Sequence, residues 1–199
     1  MTDYFALLNE PRRPWLDADL LKAKFLSRSG QMHPDRHHAD SPAARDDASK
    51  NFADLNAAFN CLRDPKERLR HLLALELGTK PKDLHEMPKD LVELFMQVGQ
   101  LNRQVGSFLS DRTKAHSPIL QVSFFEKGQE WVEKLTALQK NIAAHNEAVV
   151  NRVRELDDRW LSSTDHAALL PELEQCWRLL SFYSRWNSQL QNAIVQLSL

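Results

Sequence analysis

Three segments in the second half of the chain repeat apolar residues at spacings dominated by three and four, and this period most restricts the fold. The first carries Leu91, Leu94, Val98, Leu101, Val105 and Phe108. The second carries Trp131, Leu135, Leu138, Ile142, His145, Val149, Val153, Leu156 and Trp160, and the third Leu173, Cys176, Leu180, Tyr183, Leu190, Ile194 and Leu197. Such stripes line one side of an α-helix, and antiparallel helices bury them against each other. Composition points the same way: 31 Leu and 19 Ala stand against 3 Ile and 9 Val, a balance that favours helix over pleated sheet. The sequence therefore predicts an all-α protein whose C-terminal half is a three-helix bundle or a long helical hairpin.

The prolines punctuate this pattern. Three follow a residue suited to capping, in Ser41-Pro42, Asp64-Pro65 and Ser117-Pro118. Proline fits the first helical turn, where its missing N–H would have no partner in any case. These marks predict helices near 3–8, 17–32, 42–62, 65–77, 88–109, 119–161 and 166–197, with a loop across 33–40. Residues 78–87 hold Gly78, Pro81 and no sustained apolar period, so they read as a linker between an N-terminal domain, 1–77, and a C-terminal domain, 88–199.

Several function classes drop out early. Only 5 glycines occur and no glycine-rich phosphate loop is spelled, so nucleotide cradles are not expected. A formal net charge of −1 gives no bulk attraction for nucleic acid or an anionic membrane. Cys61 and Cys176 form no C-x-x-C pair, which speaks against a zinc site or disulfide framework and for a reducing compartment. The first ten residues lack a signal-like leader and no run reaches the ~20 apolar residues of a membrane span, so a soluble, cytoplasmic protein is expected. No nucleophile–base set or carboxylate pair stands out, so no enzyme and no cofactor is expected.

The strongest local signal is His33-Pro34-Asp35, set between two amphipathic segments. The segment before it carries Leu21 and Phe25 with Lys22, Lys24 and Arg28; the segment after it ends in Leu55-Asn56-x-Ala58-Phe59-x-x-Leu62-x-Asp64-Pro65-x-x-Arg68. With the opening Asp3-Tyr4-Phe5-x-x-Leu8, residues 1–77 resemble a J domain, the module by which co-chaperones engage DnaK-type chaperones. The continuation Arg68-x-x-x-Leu72-Leu73-x-Leu75, followed by a linker and a helical bundle, is similar to the HscB family of iron–sulfur cluster assembly co-chaperones.

The resemblance implies a binding mechanism rather than a chemical one. Asp35 would be the critical charged contact with a DnaK/HscA-type chaperone, Pro34 would fix the loop and His33 would support it. Lys22, Lys24, Arg28 and Arg36 would form a basic face; residues 20–38 hold these four cations against Asp35 alone. Docking would favour the partner state that hydrolyses ATP. The same resemblance places the contacts for an iron–sulfur scaffold client at Phe95 and Met96, continuing through Gly99, Gln100 and Arg103, with Leu179 on the last helix. Periodicity adds its own reason: with Leu91 and Leu94 facing the core, Met96 falls on the outermost side, where an apolar residue suggests a contact surface. The family has a leucine and glutamates where this chain has Gly99, Gln100 and Arg103, an aromatic near Leu179, a tyrosine at Met32 and a core leucine at Arg28.

Plainer readings stand beside these. Phe95 can be core, since each helix of a bundle touches two neighbours. Lys22 and Lys24 can be an ordinary solvated face. His145, Trp131, Trp160, Trp177 and Trp186 read as core residues, and Cys61 and Cys176 as small buried ones. The histidines at 33, 37 and 38 with Asp40 have metal-ligand chemistry, but Pro34 breaks the helix that would align His33 with His37. The rival functions are a J-domain adaptor whose bundle serves self-association, as a homodimer, or tethering to a different client, and a metal-dependent enzyme.

Overall fold

A computed structural model describes residues 1–32, 41–79, 81, 87–88, 91–114 and 117–198. The described residues form seven α-helices and no strand: α1 (Tyr4–Leu7), α2 (Ala18–Gln31), α3 (Pro42–Arg63), α4 (Pro65–Leu77), α5 (Val92–Arg112), α6 (Pro118–Ser162) and α7 (Leu170–Ser198). The all-α expectation holds, and most boundaries fall within two or three residues of the sequence reading. The largest differences are at the starts of α5 and α7: α5 begins at Val92 behind Leu91, which offers no side-chain cap, and a 3-10 turn at Ala167–Leu169 precedes α7.

Helix ends follow capping chemistry. Asp3 accepts from the Phe5 and Ala6 N–H groups, Asp17 from Asp19 and Leu20, and Asp64 from Lys66 and Glu67, each meeting donors that a first turn leaves open. Asn9, at φ +53°, turns the chain away after α1, and Gly78, at φ +69°, does so after α4. Asparagine and glycine are the residues that tolerate this left-handed backbone.

The chain forms two compact units, 1–82 with 150–177 and 83–149 with 178–199. The compact units thus cross the division expected at 78–87, because the end of α6 and the start of α7 pack with the N-terminal helices. In the first unit Phe5, Leu8, Leu21, Leu55, Leu62, Leu69, Leu72 and Leu73 are essentially fully buried, as are Leu156 and Leu173. Phe25 of α2 stacks on Phe59 of α3 with ring centroids 4.2 Å apart.

The second unit is a three-helix bundle of α5 with parts of α6 and α7. Leu94, Val98 and Val105 meet a core that includes Leu135, Ile142, Trp186 and Leu190. Phe108 lies against Phe124 and Trp131. Gln139 of α6 reaches Asn187 and Gln191 of α7, while His145 stacks over Tyr183, so the two helices run antiparallel. Arg112 donates to the Gln196 and Leu197 carbonyls, satisfying acceptors that the end of α7 leaves open.

Three expectations change, for His145, Trp131 and Cys61. His145 is exposed, its ring covering Tyr183 from outside the core, so its place in the apolar stripe reflects spacing rather than burial. Trp131 is only half-buried, with the Lys134 ammonium 4.5 Å from its ring centre, while Trp160, Trp177 and Trp186 are buried as expected. Cys61 is half-buried and Cys176 buried; burial pushes both thiols up to about 11, so neither is a ready nucleophile at neutral pH.

Among the described residues three buried side chains are polar or charged, Arg68, His71 and Asp157, and all three bond to the N-terminal stretch. His71 Nε2 accepts from the Tyr4 N–H at 3.0 Å, and its ring stacks on Tyr4 and Phe5. An accepting Nε2 requires neutral imidazole. Burial lowers the His71 pKa below its usual 6.5; Asp3 opposes that shift, and Arg12 and Arg70 add to it. A depressed histidine pKa means the unfolded chain binds the proton more readily, so the linked stability is present above 6.5 and is lost as pH falls through the folded value. Urea midpoints should accordingly drop on going from neutral to mildly acidic pH, and the drop should shrink in His71→Gln. An equal drop in both proteins would remove His71 as its source.

Candidate functional site

The J-like pattern has a structural reason at almost every position. Leu55, Ala58 and Leu62 are buried on the inner side of α3 and Phe59 stacks on α2. Asn56 bonds the Phe52 carbonyl at 2.8 Å, and Asp64 opens α4. Arg68 is buried, donating through Nε to the Pro14 carbonyl (2.8 Å) and through Nη1 to that of Leu62 (2.7 Å). Burial lowers its pKa to about 10, against the pull of Asp157 and Asp64, which still leaves it charged at neutral pH. These contacts fix α2 and α3 on either side of the segment that carries His33, Pro34, Asp35 and Arg36. Those four residues, with His37, His38 and Asp40, lie outside the described residues.

The flanking cations are placed unequally. Lys22 is exposed on α2. Lys24 is paired with Glu10 at 2.8 Å and reaches the Asn9 carbonyl at 3.3 Å. Arg28 is half-buried and donates to the Leu7 carbonyl, tying α2 to the end of α1. Lys24 and Arg28 stand four positions apart, so both fall on the helix side that faces the α1–α2 connection. Leu20 and Leu26, which sequence reasoning left aside, are well exposed on α2, and Leu26, one turn on from Lys22, adds apolar area beside it.

On α5 the expected client residues lie along one side of the helix, all but Gly99 exposed. Phe95 is 45% and Met96 58% exposed, which settles Phe95 as surface rather than core. Gln100 and Arg103 are exposed on the same helix, and Gly99 is half-buried with the Arg103 guanidinium beside it. Val92, 48% exposed, extends the strip by one turn and was missed; its signal was its position three and four residues before Phe95 and Met96. Leu179 is half-buried on α7 next to the core residue Leu180.

Leu120, Val122 and Phe125 are also exposed at the start of α6. Phe125 lines a cleft of about 240 Å³ together with Arg112, Phe124, Gly128 and Leu197 among others. Among the described residues no group of three or more His, Cys, Asp or Glu is placed to hold a metal, and no helix is long and apolar enough to cross a membrane.

No family model matches the chain. The structure of chaperone HscB from Vibrio cholerae superposes with a TM-score of 0.65 at 20% identity, covering 98% of this chain and 99% of that one. The chain has the HscB fold. Human co-chaperone protein HscB shares the HscB fold with it at a TM-score of 0.66 and 15% identity, over 96% of this chain and 82% of that one.

Sequence likeness points the same way over a shorter stretch. Seventy residues are 40% identical to the co-chaperone protein HscB homolog of Bordetella petrii, covering 35% of this chain and 41% of that protein. Against the homolog of Chromobacterium violaceum the figures are 37% over 73 residues, 37% of this chain and 42% of that protein. The chain thus matches about two fifths of the length of these curated relatives.

Proposed function

We propose that this chain is a J-domain co-chaperone of the HscB kind. Its N-terminal helices dock on a DnaK/HscA-type chaperone through the segment holding His33, Pro34 and Asp35 and stimulate ATP hydrolysis there. The strip on α5 presents a client, an iron–sulfur cluster scaffold. One joint observation carries the reading: an HscB fold over nearly the whole chain, with the His-Pro-Asp tripeptide lying between α2 and α3. In this reading the chain is no enzyme itself and acts by favouring one state of its partner, as any ligand with unequal affinity for two states does. A cytoplasmic setting fits it. The direct test is the steady-state ATPase of a DnaK-type chaperone with and without the full chain. A rise of about tenfold or more is expected, equivalent to ~1.4 kcal/mol off the barrier, and no rise at saturating chain would refute the reading.

The client half has its own test. Met96→Ala removes an exposed side chain and disturbs no core contact, so folding should be unaffected. If Met96 is buried by an iron–sulfur scaffold, truncation costs about 1–2 kcal/mol, roughly a five- to thirtyfold rise in Kd. ATPase stimulation by the chain without scaffold should stay at the wild-type level. Unchanged scaffold affinity by calorimetry would take Met96 out of the surface.

The self-association reading draws on the exposed Val122 and Phe125, one turn apart on α6. Sedimentation equilibrium of the full chain separates the two: a monomer at micromolar concentration leaves client presentation as the role of the bundle.

A further inference from the structure

The stretch from Arg12 to Trp15 has no helical hydrogen bonding and leads directly into α2, which Asp17 caps. It is held from a distant part of the chain. Asp157 of α6, 2% exposed, accepts from Arg13 Nε at 3.0 and 3.1 Å, from Arg13 Nη2, and from the Trp15 N–H at 3.1 Å. Trp160, one helical turn on, donates its indole N–H to the Arg12 carbonyl at 3.0 Å, and Arg154 lies 5.5 Å from the Trp15 ring centre. Arg68 holds the Pro14 carbonyl from the other side. Every residue from 12 to 15 is thereby engaged by α4 or α6.

A buried carboxylate is tolerated only when its charge and lone pairs are met. The guanidinium of Arg13 and the amide of Trp15 meet those of Asp157, and buried Arg68 adds a second positive charge. The arrangement is reciprocal, because removing Asp157 would leave Arg13 without its counter-ion and Arg68 with less compensation.

We infer that Asp157 is a positioning residue for chaperone docking: by clamping Arg13 and Trp15 it fixes the strap that aims α2, so residues 150–177 are a working part of the docking unit. The inference rests on the co-chaperone reading for its functional half and on the bonds alone for its structural half. Asp157 touches no partner; it acts through the strap.

The test uses the full chain as wild type, Asp157→Asn, Trp160→Phe and, as control, Glu147→Gln at an exposed α6 position. Asparagine keeps an acceptor for Trp15 and removes the charge, so the fold is retained while the clamp weakens. Hydrogen–deuterium exchange should quicken by about tenfold in peptides covering 12–21 of Asp157→Asn, and less in Trp160→Phe. Peptides of α5 should exchange as in wild type. The concentration of chain giving half-maximal ATPase stimulation should rise severalfold in Asp157→Asn, with maximal stimulation unchanged and Glu147→Gln like wild type.

Wild-type exchange across 12–21 in Asp157→Asn would overturn the clamp. Faster exchange everywhere, α5 included, would make Asp157 a global stability residue and overturn the positioning role. Faster exchange confined to 12–21 with no change in half-saturation would also overturn that role. Failure of the wild-type chain to stimulate any ATPase would defeat the co-chaperone reading, and with it the docking role, while exchange still decides the clamp.

Discussion

Full-length chain carrying Asp35→Asn should lose nearly all ability to accelerate ATP hydrolysis by a DnaK-type chaperone, and His33→Gln should behave alike. In the proposed docking Asp35 is the charged contact at the centre of the interface. Neutralising one member of a desolvated, hydrogen-bonded charge pair costs about 2–5 kcal/mol, most of it from the charge left alone on the partner. That corresponds to a weakening of roughly thirtyfold to several thousandfold, enough to erase stimulation at ordinary concentrations. Far-ultraviolet circular dichroism should not change. The flanking helices are held by buried Leu21 and Leu55 and by the stack of Phe25 on Phe59. Undiminished stimulation by a folded Asp35→Asn variant would refute the J-domain mechanism.

Leu62→Ala should be among the most damaging single truncations that leave the docking residues untouched. Leu62 is fully buried in the last turn of α3, and its carbonyl accepts from Arg68. Deleting a fully buried leucine removes its transfer free energy and leaves a cavity, about 2–5 kcal/mol in all. That is a large share of the ~5–15 kcal/mol that holds a typical domain. Leu77→Ala, at the exposed end of α4, is the matched control and should cost under ~0.5 kcal/mol. Urea unfolding of the two variants checks the contrast; a loss below ~1 kcal/mol for Leu62→Ala would show that the site collapses around the gap.

Much of the helical framework was legible because its causes are local. Asp64-Pro65 announces the start of α4 and Gly78 its end, and the stripes of α5 to α7 announce which side is buried. Phe95 was ambiguous, since an apolar residue flanking a stripe is core or surface according to where the neighbouring helix lies, and spacing within one helix does not say. The strap at 12–15 was legible only indirectly. It has no period, and its bonds join side chains to backbone groups 54, 142 and 148 residues away. One signal was available: Asp157 stands four residues after Val153 and three before Trp160, a carboxylate inside an apolar stripe. A charge in that position needs a buried partner, and Arg13 is the partner it has.

The separation of those bonds bears on the order of events at the ribosome. Helices α1 to α4 can form once residue 77 has emerged, with Arg68 already able to hold Pro14, but the bonds to Arg12, Arg13 and Trp15 wait until Asp157 and Trp160 follow. At about 5–20 residues per second, translating from 78 to 157 takes roughly 4–16 s. Throughout that interval the nascent chain displays the His-Pro-Asp tripeptide without the bonds that aim its leading helix. In the proposed reading, full docking geometry thus arrives only once α6 has been made, while α7 of the bundle is still to come.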